Sequence, residues 1–276
     1  MKKGRPNPNL FACGLEGLPE YFHFKQYRYK LRKLFKHDFF AATGLYEIES
    51  DSSPLLSEIP VKIVLKINRR QPLMGLPLAW LGNMMRNHEV MILRSVEGIK
   101  QVPQLLGLYE PCGFFYTYIE GCSLDESPNI PDSFFDECKS LLEQVHQRDI
   151  AYIDMNKRGN ILIGQDNKPY LIDFQISLRF ERYAHGLMKV LQKEDMYHLY
   201  KHKRRLRGDL LSETEQQISR RKSPFIRIHR LIATPFRTVR RRVLGWLVRR
   251  GSLPVDPNTN YSPENDLSRY DHSGKH

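Results

Sequence analysis

The stretch from residue 146 to residue 177 constrains the fold more than any other part of the chain. It contains two short apolar runs separated by a polar turn, at residues 160–164 and 170–174. Apolar runs bounded by turn-forming residues predict strands. Asp154 lies upstream of the first run, Asn160 begins that run, and Asp173 lies near the end of the second. These three polar residues, placed around two apolar strands, are candidates for a functional site.

In order and spacing, this stretch resembles the catalytic core of the protein-kinase superfamily. In that family a helix ends in His, and an Asp begins the catalytic loop eight residues later. An Asn then precedes an apolar strand, and a second Asp opens a D-F-G motif. The matching residues here are His146, Asp154, Asn160 and Asp173. The resemblance implies that Asp154 is the catalytic base, which orients the acceptor hydroxyl, and that Asn160 and Asp173 bind Mg²⁺ through their oxygens.

The N-terminal half contains further matches to the family. Lys66, in the sequence I-V-L-K, resembles the V-A-I-K lysine that binds ATP phosphates, and Glu89 in a predicted helix would be its ion-pair partner. Tyr116 and Tyr118 lie in a segment that resembles the linker between the two kinase lobes. The resemblance implies that the backbone of this linker binds adenine, with Tyr116 at the back of the pocket.

The chain also departs from the family pattern. It has no G-x-G-x-x-G loop to cover the phosphates, and the one candidate is A-A-T-G with Thr43 and Gly44, where we expect strands to meet in a turn. The catalytic loop has one residue more than usual. By count, Asn156 therefore stands at the position of the loop lysine of protein kinases, and Lys157 follows one position later. Gln175 replaces the glycine of D-F-G, which indicates a fixed segment.

No A-P-E sequence follows Asp173, and kinases of small molecules and lipid-linked sugars usually lack this peptide-binding segment. The form of the catalytic loop resembles bacterial lipopolysaccharide kinases, which phosphorylate Kdo or heptose. We therefore expect an ATP- and Mg²⁺-dependent kinase whose acceptor is a hydroxyl of a membrane glycolipid, itself bearing phosphate. Two alternatives stay open: a Ser/Thr protein kinase, and a pseudokinase that acts as a membrane-associated nucleotide-sensing or binding module.

The expected fold is α+β and bilobal, as in protein kinases, with ATP bound between the lobes. Its parts are an irregular arm, a small β-rich N-lobe with one helix, a compact helical C-lobe without a full activation segment, and a disordered tail. Their predicted boundaries are residues 1–20, 21–119, 120–250 and 251–276. The four cysteines form no C-x-x-C pair, so we expect reduced, structural thiols rather than a metal site.

The positive charge is concentrated near the C-terminus. Residues 201–250 contain 16 Lys and Arg against three acids, a net charge of +13, which leaves −1 for the rest of the +12 chain. Apolar and basic residues alternate there at helical spacing, around Phe236, Val243 and Trp246. The pattern is typical both of a helix on an anionic membrane surface and of an ordinary packed helix with a solvated arginine face.

No zinc-finger, RRM or KH pattern supports nucleic-acid binding. The chain shows no signal peptide, and its longest apolar run is too short to span a bilayer, which needs about 20 residues. We therefore expect a cytoplasmic protein. A basic helix that binds lipid would add peripheral contact with the cytoplasmic face of the inner membrane.

Overall fold

The computed structural model describes residues 11–49, 59–72, 76–127, 129–179 and 185–220. These residues form a mixed α+β structure, with most strands in the first half and most helices in the second. The strands are β1 Tyr21–Phe24, β2 Tyr27–His37, β3 Ala41–Ile48, β4 Lys62–Asn68, β5 Leu105–Tyr109, β6 Gly113–Thr117, β7 Gly121–Ser123, β8 Ile150–Ala151, β9 Ile161–Gly164, β10 Pro169–Leu171 and β11 Leu178–Arg179. The helices are α1 Ala79–Ser95, α2 Phe134–His146, α3 His185–Leu206 and α4 Glu213–Arg220.

The first six strands form one antiparallel, curled sheet in the order β1-β2-β3-β4-β6-β5. Alternate residues of each strand point to opposite faces. In β4, Ile63, Leu65 and Ile67 belong to an aromatic and aliphatic cluster on one face, which also includes Phe22 and Phe115. The intervening residues of β4, which include Lys66, therefore point to the other face.

Helix α1 packs against that other face of the sheet. Its apolar residues recur every three or four positions, so Val90 and Leu93 enter a second hydrophobic cluster shared with the helical half of the chain. Gly82 permits the close approach of the helix to the end of β4, because an added Cβ would lie 2.0 Å from the backbone oxygen of Arg69. The helix is therefore fixed against the strand that carries Lys66.

The second half is built around α2, α3 and small sheets. The β9–β10 hairpin pairs with β7, and the short strands β8 and β11 pair with each other. Helix α2 packs against α3 and β10, and α3 also contacts the loop that begins at Asp154. This arrangement places residues 152–160 and 172–177 next to one another, facing β4 and α1.

Most predicted elements are confirmed, and one is wrong. The helix predicted at Glu89 and the strands predicted at 160–164 and 170–174 form, the strands as the hairpin β9–β10. The turn predicted at Gly44 does not: Gly44 lies within β3, and the chain turns at residues 38–40. The fold is compatible with two lobes, while the kinase type of fold and the domain boundaries stay predictions.

Several predictions fall on residues outside the described ranges. These include the basic segment from 221 to 250, the tail from 251 and the first ten residues of the predicted arm. The rest of the arm packs against the sheet, since Ala12, Cys13 and Leu18 are buried in its cluster. Among the described residues no helix is both long and apolar enough to cross a membrane. All four cysteines have free thiols.

Candidate active site

Lys66 and Glu89 form a buried ion pair. Nζ of Lys66 lies 2.8 Å from Oε2 and 2.9 Å from Oε1 of Glu89, and both side chains are almost fully enclosed. Burial opposes the positive charge of Lys66, but the carboxylates of Glu89 and Asp173 outweigh it and raise the pKa of Lys66. A buried ion pair contributes little net stability. Its effect here is to hold an ammonium group charged and in a fixed position.

Asp173 also lies beside Lys66. Its Oδ1 is 3.5 Å from Nζ of Lys66, and Oε1 of Gln175 accepts a 3.4 Å hydrogen bond from the same ammonium group. Burial would raise the pKa of Asp173, but the positive charges of Lys66, Lys157 and Lys36 lower it below its usual value. Asp173 is therefore held as a carboxylate.

Asp154 and Asn160, predicted to lie in a catalytic loop, lie in two consecutive 3-10 turns, Asp154–Asn156 and Arg158–Asn160. Lys157, in extended conformation, separates the turns, which is how the loop accommodates its additional residue. Oδ2 of Asp154 accepts hydrogen bonds from Nζ of Lys157 at 2.6 Å and from Nδ2 of Asn160 at 2.8 Å. Both Asn156 and Lys157 are exposed, but Lys157 is the one that contacts Asp154, so Lys157 rather than Asn156 matches the position of a loop lysine.

Asp195 of α3 supports this loop, and the sequence analysis missed it. Its carboxylate is fully buried and accepts hydrogen bonds from the backbone N–H groups of Tyr152 at 2.8 Å and Ile153 at 2.7 Å. It also lies 3.0 Å from Nε2 of His146. Ile153 has a φ of +66°, a costly conformation for a β-branched residue. Asp195 therefore holds a strained backbone just before Asp154.

Further hydrogen bonds connect the two segments that carry the polar residues. The hydroxyl of Tyr152 donates to the backbone oxygen of Ile172, and the N–H of Ile172 donates to the backbone oxygen of Asn160 at 3.0 Å. Asp173 itself has a φ of +59°, which turns its carboxylate out of the strand direction. These contacts bring Asn160 and Asp173 together beside Asp154.

The two tyrosines of the predicted linker differ in their surroundings. Tyr116, in β6, packs against the cluster below Lys66, and its ring lies 5.7 Å from that of Phe114. Tyr118 follows β6, and its ring is stacked on Phe35 of β2 with 6.2 Å between centroids. Tyr116 is thus packed against the hydrophobic cluster on the Lys66 face of the sheet, whereas Tyr118 contacts β2.

Thr43 and Gly44 do not form a loop over the site. Thr43 is paired with Lys66 across neighbouring strands, so their side chains share a face. Gly44 points to the other face, where an added Cβ would lie 2.7 Å from side-chain atoms of both Leu18 and Leu31. Thr43 can therefore contact a ligand beside Lys66, whereas Gly44 is needed for packing.

Two oxygens at the site are suited to a divalent metal ion. Oδ1 of Asp173 is buried, lies 3.5 Å from Nζ of Lys66 and accepts no hydrogen bond from the described residues. Asn160 donates its Nδ2 to Asp154, so its amide oxygen stays available. Across the described part of the chain no group of three or more His, Cys, Asp or Glu side chains could hold a metal alone. Mg²⁺, however, is commonly bound by one or two such oxygens together with substrate phosphates and water, and the two residues fit that role.

Comparison with known proteins gives no family assignment. No protein-family model matches the chain. No curated protein matches its sequence.

Proposed function

We propose that this protein is a phosphotransferase that moves the γ-phosphate of ATP to a hydroxyl group. The observation that carries the proposal is the contact between Lys66, Glu89 and Asp173, next to Asp154 in its loop. Residues from four distant segments meet there, and each has the chemistry that a bound triphosphate and an attacking hydroxyl require. A fixed ammonium group suits phosphate oxygens, and a carboxylate suits the proton of the acceptor.

Each residue of the candidate site would have its own role in the reaction. Lys66, oriented by Glu89, would bind phosphate oxygens of ATP, and Thr43 lies beside it on the same face of the sheet. Oδ2 of Asp154 is occupied by Lys157 and Asn160, while Oδ1 accepts no hydrogen bond from any described residue. Oδ1 can therefore accept the hydroxyl proton of the acceptor. The acceptor oxygen then bonds to the γ-phosphorus, the bond to the β-phosphate oxygen breaks, and ADP leaves.

Asp173 and Asn160 would hold the metal ion through Oδ1 and the amide oxygen. When bound with the nucleotide, Mg²⁺ would neutralise phosphate charge and stabilise the charge that develops on the leaving group. The ammonium group of Lys157, next to Asp154, can approach the phosphoryl group during transfer. Fixed positive groups of this kind are effective because they need no reorganisation as charge develops.

The proposed acceptor is a small or lipid-linked sugar rather than a protein. Helix α3 begins at His185, so only residues 174–184 connect Asp173 to it. In protein kinases this interval contains the activation segment and A-P-E. The short connection supports an acceptor that binds without such a segment. The basic residues 201–250 would suit a phosphorylated glycolipid at a membrane surface.

The test is transfer of labelled γ-phosphate from Mg·ATP by the full-length chain. One set of reactions contains lipopolysaccharide-core glycolipids and another contains a general protein substrate. Label on the glycolipid alone supports the proposal, whereas label on the protein alone supports a Ser/Thr protein kinase. If ATP binds but no label moves to either acceptor or to water, the protein is a nucleotide-binding pseudokinase.

A further inference from the structure

The turn between β2 and β3 lies where the family pattern places a glycine-rich loop, but its backbone is already engaged. Oδ1 of Asp38 accepts the N–H groups of Phe40 at 2.8 Å and Ala41 at 3.0 Å. The N–H of Asp38 itself donates to the backbone oxygen of Ala41 at 3.0 Å. A glycine-rich loop binds phosphate through free backbone N–H groups. Three such groups of this turn are not available for that purpose.

Arg69 holds the same turn against the end of β4. Its side chain is fully buried, donates from Nη1 to the backbone oxygen of Phe39 at 2.9 Å, and stacks 3.9 Å above the Phe39 ring. Its backbone N–H donates to the oxygen of Phe40 at 2.8 Å. The turn is therefore fixed from both sides and cannot close over a nucleotide as a flexible loop would.

Lys36, two residues before Asp38, lies in a row with the residues of the candidate site. The strand register pairs Lys36 with Thr43, and Thr43 with Lys66. Residues directly opposite on neighbouring strands place their side chains on the same face. Lys36 therefore points to the face on which Lys66 meets Asp173. Two strand separations put the α-carbons of the two lysines about 10 Å apart.

Lys36 is accessible to a ligand on this face of the sheet. Its side chain is 58% exposed, and Nζ lies 2.8 Å from Oδ2 of Asp38. An ordinary surface ion pair between Lys36 and Asp38 would explain that contact alone. The strand register adds that the lysine shares a face with Lys66, so a bound anion beside Lys66 could replace Asp38 as its partner.

We propose that Lys36 binds the terminal phosphates of the nucleotide and so replaces the backbone N–H groups of a glycine-rich loop. The inference rests on the proposed function, because it assumes a nucleotide next to Lys66. Asp38 then has two roles: Oδ1 holds the turn, and Oδ2 keeps Lys36 in place until phosphate takes over its ammonium group. The cleft would bind a polyphosphate between three lysines, and the sheet would stay rigid.

Calorimetric titration of the full-length chain with Mg·ATP tests the inference. Four variants are compared with the wild type: Lys36→Ala, Asp38→Asn, Lys66→Ala and Lys30→Ala. Lys30 is the matched control, since it lies on the same strand beside Glu49 but about 20 Å from Lys36, at about 3.3 Å per residue. Asp38→Asn keeps a side-chain oxygen for the turn and removes only the charged partner of Lys36.

We expect Lys36→Ala to weaken Mg·ATP binding about tenfold, the effect of one charge-assisted hydrogen bond. Lys30→Ala should stay within about twofold of wild type, since exposed ion pairs contribute little. Asp38→Asn should tighten binding by up to about fivefold, because phosphate no longer competes with a carboxylate. Opposite effects of two neighbouring substitutions cannot come from unfolding, which would weaken binding in both.

Three results would overturn the inference. Equal affinity of Lys36→Ala and wild type, with Lys66→Ala still impaired, removes the role of Lys36 and leaves the proposed function intact. Equal losses in Lys36→Ala and Lys30→Ala would show a general effect of net charge. A wild-type chain that does not bind Mg·ATP at all would overturn the proposed function and the inference with it.

Discussion

Nζ of Lys157 lies 2.6 Å from Oδ2 of Asp154, which makes Lys157 the lysine of the candidate catalytic loop. Counting from Asp154 in the sequence favoured Asn156 for that place. The structure favours Lys157, because the chain is extended at this residue between two 3-10 turns and its side chain contacts the Asp154 carboxylate. Within the described part of the chain, the donors to Asp154 reach Oδ2 rather than Oδ1.

The first prediction concerns the proposed base. Asp154→Ala should lower the rate of ADP release from Mg·ATP, in the presence of acceptor, by about 10² to 10⁴, the usual contribution of a general base. Binding of Mg·ATP should change little, because in the proposed mechanism Asp154 acts on the acceptor hydroxyl and Lys66 binds the nucleotide. Loss of binding together with the rate, in a variant that is folded by circular dichroism, would contradict the assignment.

The second prediction separates Lys157 from its neighbour. Lys157→Ala should lower turnover by about 10², in the range observed when one fixed group that stabilises transition-state charge is removed. Asn156→Ala, the matched control in the same loop, should retain turnover within about twofold, as is usual for surface substitutions. Steady-state rates of both variants at saturating Mg·ATP provide the measurement. A larger loss in Asn156→Ala would reverse the assignment.

The third prediction concerns Asp195, which holds the backbone of Tyr152 and Ile153. Asp195→Ala would leave buried N–H groups without acceptors, and we expect a loss of about 3 kcal/mol in the free energy of unfolding. Asp195→Asn keeps one acceptor oxygen and should lose less. Urea denaturation measures both values. An equal, small loss in the two variants would show that Asp195 does not hold the strained backbone.

The fourth prediction uses His202 of α3, which is buried and donates from Nε2 to the backbone oxygen of Met155 at 2.9 Å. Burial lowers the pKa of His202 from 6.5 to about 4. Between these pH values the unfolded chain binds a proton that the folded chain does not, so acidification favours unfolding. The free energy of unfolding should fall by about 3 kcal/mol from this residue between pH 7 and pH 4.

Urea denaturation of His202→Gln across the same pH range isolates this effect. Glutamine can donate to Met155 but does not titrate, so the variant should lose about 3 kcal/mol less stability on acidification than the wild type. His23→Gln, at an exposed position of β1, is the control and should follow the wild-type curve. Parallel curves for all three proteins would contradict the assignment of a neutral buried His202.

The sequence predicted the parts of the site that depend on local pattern. Lys66 on a strand, Glu89 on a helix and the hairpin between Asn160 and Asp173 follow from periodicity and turn residues. The contact of Lys66 with Glu89, expected from the family resemblance, is also present. Each of these assignments uses residues that are close in sequence or a motif of known order.

The rest depends on long-range packing, which local pattern does not contain. Asp195 is one of two adjacent acids in a basic helix, and its partners lie more than forty positions earlier. Gly44 resembled a turn residue, yet it lies in a strand. Glycine is needed there because Leu18 and Leu31 leave no room for a side chain. The position of Lys36 opposite Thr43 depends on register shifts in β2 that no residue type indicates.

The most direct test of the account is the thermal stability of the wild type and of Lys66→Ala, each with and without Mg·ATP. A ligand that binds only the folded state at a hundredfold excess over its Kd raises the free energy of unfolding by about 2.7 kcal/mol. We expect a metal-dependent rise in the melting temperature of the wild type that is lost in Lys66→Ala. No rise in the wild type at millimolar Mg·ATP, or an equal rise in both proteins, would contradict a nucleotide site at Lys66.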